Sequence, residues 1–257
     1  MTLSGLTVAQ MRAVDRLMVE DYGITLLQMI EHAGRGLAEV ARHSVGGSLA
    51  GAHVLVLAGP GNNGGGGITA ARHLANAGAE VHVALSTPPP LPGQDAERQR
   101  LALRRMRIPG SDRDVRLDEL PELLGAADLV LDALLGYSGR GDPREPLASL
   151  IHMANAMTVP CLALDLPSGL DGDTGAPGNP TMHADATLTL AWPKVGLLAA
   201  PAQPYIGRLY LADIGVPAEI LTTLGIPHAA VFARGPVVQV RAEAGGWEPE
   251  DLAAKSS

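Results

Sequence analysis

The chain has 257 residues, 46% of them hydrophobic, and a formal charge of −8 from 19 basic and 27 acidic residues. That length suits one large α/β domain, or at most two small ones, with apolar residues enough for a sizeable core. An acidic chain with one Phe, two Trp and four Tyr lacks the basic footprint and the stacking platforms of a nucleic-acid binder, so any anionic ligand must be held by local dipoles.

Cys161, the single cysteine, excludes an intrachain disulfide and reads as a small buried hydrophobe within the apolar run Val159 to Leu164. No basic stretch followed by an apolar one opens the chain, so no signal peptide is expected. No apolar run reaches the ~18 residues of a membrane span. A cytoplasmic enzyme or binding protein without a membrane partner is the expectation.

Thr7-Val8-Ala9-Gln10 is a capping box, and Met11, Val14, Leu17 and Met18 follow at helical spacing. Thr25-Leu26-Leu27-Gln28 repeats the signal and opens a second helix running to about His43. The apolar run His53 to Leu57 predicts a buried strand, the glycine-rich stretch Ala58 to Gly67 a sharp turn, and Ile68 to Ala77 a helix. Val81 to Leu85 predicts a strand, Ser86 to Pro92 a proline-rich loop and Asp95 to Met106 a helix. Asp128 to Leu131 is a strand, Pro146 to Ala156 a helix and Val159 to Leu164 a strand. Ala186 to Leu190 and Arg208 to Ala212 are later strands, and Pro217 suits the first turn of a short helix to Leu224. From Ala242 on, small and charged residues show no period. The expectation is one domain over 1–235 and a mobile tail over 236–257 that includes Trp247.

Apolar strands alternating with helices imply an α/β fold with a mostly parallel sheet covered on both faces. Ligands of such sheets sit outside the carboxyl ends of the strands. Three glycine-bearing loops follow strands there: Gly59 to Gly67, Asp132 to Asp142 and Asp165 to Gly175. The first, between a strand and a helix N-terminus, is an anion site by its converging N–H groups and its dipole. Four consecutive glycines cost too much conformational entropy to be kept for packing alone, so a phosphate-bearing ligand is expected. Gly59-x-Gly61-x-x-Gly64 matches the dinucleotide fingerprint. However, no acidic residue ends the next strand, and no Gly-Lys-Ser or Gly-Lys-Thr makes a P-loop.

Asp132 and Asp165 each end a strand at the ligand edge, where an aspartate either caps its own turn or serves a site. With Ser168 and Asn63 they offer oxygens of the kind hard cations prefer, while the scattered histidines make no zinc site. Asp171 and Asp173 look like half of a calcium loop but lack its order and its terminal glutamate. Arg140 and Lys194 are the basic residues nearest the loops; Arg140 either meets a phosphate or is solvated.

Taken together, Gly59-Pro60-Gly61-Asn62-Asn63-Gly64-Gly65, Asp132-Ala133-Leu134-Leu135-Gly136 and Asp165-Leu166-Pro167-Ser168-Gly169-Leu170-Asp171 resemble the NAD(P)H-hydrate epimerase family. So do Val8-Ala9-Gln10-Met11-Arg12, a turn at Glu31-His32-Ala33-Gly34, and Ala184 to Thr189 ahead of Lys194-Val195-Gly196-Leu197. The similarity runs from about residue 6 to about residue 217. It implies a three-layer α/β/α Rossmann-like fold, a homodimer, and an isomerase that interconverts the R and S hydrates of NADH and NADPH (NADHX and NADPHX) at C6. A separate dehydratase would then restore the cofactor, since the chain has no room for that second domain.

By motif, the substrate would contact Asn62, Asn63, Gly64, Gly65, Gly66, Gly136, Tyr137, Ser138, Gly139, Arg140, Gly141, Asp142 and Asp165, with Asp165 as catalytic acid and base. Potassium (K+) would sit on Asn63, Asp132 and Ser168. The chain departs from the family at Gly66, where an aspartate is usual. The competing reading is therefore a weak or non-catalytic member acting as a nucleotide-binding or protein-interaction module; a third is chemistry on another nucleotide-like substrate.

Overall fold

Thr7 and Thr25 close the two predicted capping boxes at the starts of α1 (Val8–Glu20) and α2 (Leu26–Ser44). In each, the threonine Oγ1 accepts the N–H of the glutamine three residues on, and that glutamine's Oε1 accepts the threonine N–H, at 2.9 Å in the first and 2.8 Å in the second. There follow β1 (His53–Ala58), α3 (Asn62–Asn76), β2 (Glu80–Leu85), α4 (Gln94–Arg105), α5 (Leu120–Ala126), β3 (Leu129–Ala133), α6 (Leu147–Asn155) and β4 (Cys161–Leu164). Then come β5 (Ala186–Leu190), α7 (Val195–Leu198), a 3-10 turn at Ala200–Ala202, α8 (Gln203–Ile206), β6 (Arg208–Ala212), α9 (Ala218–Thr223), β7 (Val237–Glu243) and β8 (Gly246–Asp251). This computed structural model describes all residues except 1, 2, 93, 227, 229, 234, 244, 245 and 252–257.

The strands form one sheet in the order β2-β1-β3-β4-β5-β6-β7-β8, parallel from β2 to β6. Alternation along each strand sorts side chains to two faces. Val54, Val56 and Ala58 of β1, with Leu129, Leu131 and Ala133 of β3, pack beneath α2, α3 and α4. Leu55, Leu57 and Val130 face α5 and α6, while Leu209 and Leu211 of β6 face a second cluster containing α1, α7 and α9. This is the expected three-layer α/β/α arrangement. The chain steps from β1 to β2 on one side and returns to β3 on the other, so the crevice of this sheet opens at the carboxyl ends of β1 and β3. Among the described residues no helix is long and apolar enough to cross a membrane.

Three expectations differ from what the structure holds. The segment expected as a mobile tail continues the sheet: β7 pairs antiparallel with β6 and β8 with β7, and Val237, Val238 and Val240 are buried. Leu3 donates to the Trp247 carbonyl at 2.6 Å, so this hairpin also anchors the start of the chain. Residues 244, 245 and 252–257 of the expected tail lie outside the described residues. The Glu31-His32-Ala33-Gly34 stretch lies inside α2 rather than in a turn.

The third difference matters most. α3 begins at Asn62, so the four glycines Gly64 to Gly67 are its first turns, not a loop before it. They are buried, and close packing explains them. A Cβ on Gly64 would lie 1.9 Å from the Gly59 carbonyl oxygen, and one on Gly67 would lie 2.4 Å from Ala133 Cβ. On the neighbouring helix, a Cβ on Gly34 would lie 2.5 Å from Thr69 Cβ. At Gly64 and Gly67 helix α3 thus sits too near the Gly59 backbone and β3 for a side chain, and at Gly34 α2 sits too near α3, at a propensity cost of ~1 kcal/mol per glycine.

Gly67→Ala should therefore destabilise the protein by about 1–3 kcal/mol through overpacking against Ala133 and Val56. Gly61→Ala, at an N-cap with φ −95° and nothing within 4 Å of a new Cβ, should change stability by less than ~0.5 kcal/mol. Urea unfolding of both variants checks the contrast; equal losses would refute the packing account.

Candidate active site

A cavity of about 490 Å³ opens at the crevice between β1 and β3. Its wall is built from the segments that follow the parallel strands: Pro60 to Asn63 after β1, Leu134 to Gly139 after β3, Asp165 after β4 and Lys194 after β5. Met11 and Asp15 of α1, together with Met29, Ile30 and Ala33 of α2, close the other side.

Of the predicted contact residues, Asn62, Asn63, Gly66, Gly136, Tyr137, Ser138, Gly139 and Asp165 line this cavity. Gly64 and Gly65 do not, because they are turned toward Gly59 and Ala96 in the helix packing. Gly141 and Asp142 line a smaller cavity of about 220 Å³ that shares Leu135, Gly136 and Gly139 with the first. Asp142 accepts the Asn179 N–H at 2.8 Å. Arg140 is exposed and lines neither.

Asp165 and Lys194 form the charged centre. Lys194 is fully buried and Asp165 is 3% exposed. The Lys194 ammonium donates to Asp165 Oδ1, to Thr189 Oγ1 at 3.1 Å and to the Leu190 carbonyl at 2.9 Å, which satisfies all three of its hydrogens. Asp165 Oδ2 accepts the Tyr137 N–H at 2.9 Å. Asp165 holds φ 70°, a left-handed conformation that costs a non-glycine residue ~1 kcal/mol or more, and its own N–H donates to the Leu188 carbonyl at 2.7 Å. The first segment of the chain fixes the lysine from the other side: Leu6 N–H donates to Pro193 and Val195 N–H donates to Leu6, straddling Lys194.

Asp132 and Ser168 are fully buried behind this cavity rather than in its wall. Asp132 accepts Ser168 Oγ–H at 2.6 Å, Ser168 N–H at 2.8 Å and Leu134 N–H at 3.2 Å, and Ser168 Oγ accepts Leu135 N–H at 2.9 Å. The pair clasps the β3 and β4 loops together. Burial pushes the Asp132 carboxyl up to about 6, against the pull of the Ser168 hydrogen bonds. Asn63 Nδ2 donates to the Leu164 carbonyl at 3.2 Å, which leaves its Oδ1 facing Gly136, where a Cβ would lie 3.3 Å away.

Spare lone pairs on Asn63 Oδ1, Asp132 and Ser168 Oγ are an all-oxygen set, and the buried carboxylate has no cationic hydrogen-bond partner. That donor chemistry fits a hard cation. No group of three or more His, Cys, Asp or Glu among the described residues is placed to hold a metal.

Two site residues are not apparent from spacing. Lys194 pairs with an aspartate 29 positions earlier, through a strand and a turn. Asp15 sits at i+4 from Met11 and three before Met18, a charge on an otherwise apolar helix stripe, and that interruption is its signal in the sequence. The cavity's charged lining residues are Asp15, Asp165 and Lys194, a balance of one negative charge.

Lys194→Met should cost about 3–5 kcal/mol, since it strands the buried Asp165 carboxylate without its cation. A loss below ~1 kcal/mol in urea unfolding would contradict the pairing.

The profile of the family described as YjeF-related protein N-terminus matches residues 26–196. An NAD(P)H-hydrate epimerase of Dehalogenimonas lykanthroporepellens is 41% identical over 241 residues, 93% of this chain and 94% of the relative. One from Rhodopirellula baltica is 36% identical, over 87% of this chain and 89% of the relative. A bifunctional NAD(P)H-hydrate repair enzyme of Salinibacter ruber is 40% identical over 84% of this chain, which spans only 41% of that longer protein. The crystal structure of the yeast protein YNL200c superposes with a TM-score of 0.79 over 92% of this chain and 100% of the yeast chain; at 23% identity that likeness shows the fold.

Proposed function

The chain belongs to the YjeF-related protein N-terminus family, and on that premise we propose that it is an NAD(P)H-hydrate epimerase, interconverting the R and S hydrates of NADH and NADPH at C6. The observation that carries this reading is the buried Asp165–Lys194 pair at the wall of a nucleotide-sized cavity. A pure binding module has no physical need for a buried ion pair with a strained aspartate at its centre.

The dinucleotide's phosphates would meet the start of α3. That helix has no side-chain cap, so its first N–H groups and the positive end of its dipole are free to face an anion. Among the described residues the cavity wall has no arginine, and its net charge is negative, so binding of the phosphates would rest on these dipoles. The same negative balance favours positive charge developing on the damaged ring.

Epimerisation needs the C6 hydroxyl to leave and water to return on the other face. The Lys194 ammonium presents a proton to Asp165 Oδ1. Delivered to the departing hydroxyl, that proton releases water and leaves an iminium cation beside the carboxylate. The planar cation turns its other face to the same pair, and the water that adds there gives its proton back, so the protein ends as it began. Asn63, Asp132 and Ser168 would hold a potassium ion, which supplies a fixed positive charge against the buried Asp132 carboxylate. The resulting epimer suits a dehydratase that restores the cofactor.

Gly66 favours the competing reading of a non-catalytic member, since a Cβ there would lie 2.7 Å from Leu164 Cδ2 and the wall at that point is hydrocarbon. It leaves the Asp165–Lys194 pair untouched, so the enzyme reading stands.

Asp165→Asn should keep substrate binding while lowering turnover by ~10²-fold or more, read by proton NMR of the epimer ratio. Unchanged turnover would remove Asp165 from the role. Potassium chloride, but not choline chloride, should raise the melting temperature of the native protein, and Ser168→Ala should abolish the difference; equal melting in both salts would dismiss the ion.

A further inference from the structure

The N-terminal helix α1 lies before the matched family segment, yet it delivers a carboxylate to the cavity. Asp15 Oδ2 accepts the Tyr137 hydroxyl proton across 122 residues of sequence. Tyr137 is joined to both members of the charged centre: its N–H donates to Asp165 Oδ2 at 2.9 Å, and its ring centroid lies 5.7 Å from Lys194 Nζ. One side chain thus contacts the base through its backbone, the cation through its ring, and α1 through its hydroxyl.

We propose that Asp15 is a positioning residue of the active site, acting through Tyr137 to hold the Asp165 carboxylate and the Lys194 ammonium in their working geometry. This rests on the epimerase reading above for its effect on turnover, but not for its effect on structure.

The physical case is one of leverage. Tyr137 lies in the loop after β3, three and two residues beyond the Leu134 and Leu135 N–H groups that Asp132 and Ser168 hold. Past that clasp, among the described residues, the Tyr137 hydroxyl has Asp15 as its one hydrogen-bond partner. Loss of the hydroxyl bond leaves Tyr137 held by its N–H to Asp165 and by the packing of its ring alone, and catalytic geometry is sensitive to displacements of ~1 Å. The anchor is itself rigid: α1 begins at a capping box, and Val8 N–H donates to Asp173 Oδ1 at 2.7 Å, tying α1 to the loop that follows Asp165. Burial, and then the neighbouring Asp15 charge, push the phenol far above its usual range, so Tyr137 stays the donor. Burial also holds the Asp15 carboxyl above its usual range, against the lowering effect of the Tyr137 bond and Lys194.

Positioning and direct charge catalysis differ in what rescues the site. Asparagine can still accept the phenol proton but carries no charge; alanine can do neither. Asp15→Ala and Tyr137→Phe should each lower kcat by about tenfold with KM within about twofold, and the double variant should be no worse than either alone. Asp15→Asn should recover most of the lost kcat. Independently of any substrate, amide hydrogen exchange at Tyr137 should quicken by about tenfold in Asp15→Ala and Tyr137→Phe, and not in Asp15→Asn.

Multiplying losses in the double variant would overturn the proposal, as would an Asp15→Asn variant as impaired as Asp15→Ala. Unchanged exchange at Tyr137 would overturn it whether or not the protein epimerises the hydrates. Absence of turnover in the native protein would sink the epimerase reading alone. Should Asp15→Ala fail to fold, Tyr137→Phe and Asp15→Asn carry both readouts.

Discussion

The buried contact between Lys194 and Asp165 is the interaction around which the rest of the site is organised. An ammonium with no exposed surface is tolerated only because each of its hydrogens meets an oxygen: a carboxylate, a threonine hydroxyl and a carbonyl. Meeting that demand recruits distant segments. Thr189 and Leu190 come from β5 and its end, Asp165 from the turn after β4, and Leu6 brackets the lysine backbone from the start of the chain. The left-handed Asp165 stands where these groups are brought to one point.

The second constraint is steric. α3 approaches the Gly59 turn and β3 so closely that a side chain is excluded at Gly64 and Gly67, and its uncapped N-terminus lies at the cavity beside the ion pair. In the proposed function, phosphate binding and acid–base chemistry would be held in one geometry by two unrelated devices, backbone packing on one side and a desolvated salt bridge on the other. Asp132 and Ser168 fasten the loops between them from beneath.

Much of this was legible in the residues, for reasons that differ by element. The apolar runs of β1, β2, β5 and β6 could be placed because a parallel strand buried on both faces is continuous hydrocarbon bounded by turn residues. The caps of α1 and α2 were legible because a capping box is a local device of four residues. The start of α3 was not, since four glycines carry the poorest helix propensity short of proline, and only the proximity of Ala133 and Gly59 reveals why they are helical. β7 and β8 were hidden for the opposite reason. β7 carries the alternation Val238-Gln239-Val240-Arg241, but it is short, and β8, with Glu248, Pro249 and Glu250, has no apolar face of its own and takes its order from pairing with β7. In the site, Asp165 could be proposed from its loop, while the partnership of Lys194 and the arrival of Asp15 on α1 depend on tertiary contacts that no spacing encodes.

The central claim is that this geometry turns over a hydrated nicotinamide ring rather than merely holding a nucleotide. Exchange NMR on an R and S mixture of NADH hydrate, at neutral pH with catalytic amounts of the native protein, tests it directly. The account predicts cross-peaks linking the C6 protons of the two epimers that vanish when the protein is omitted. Line broadening from binding, with no exchange between epimers, would contradict it.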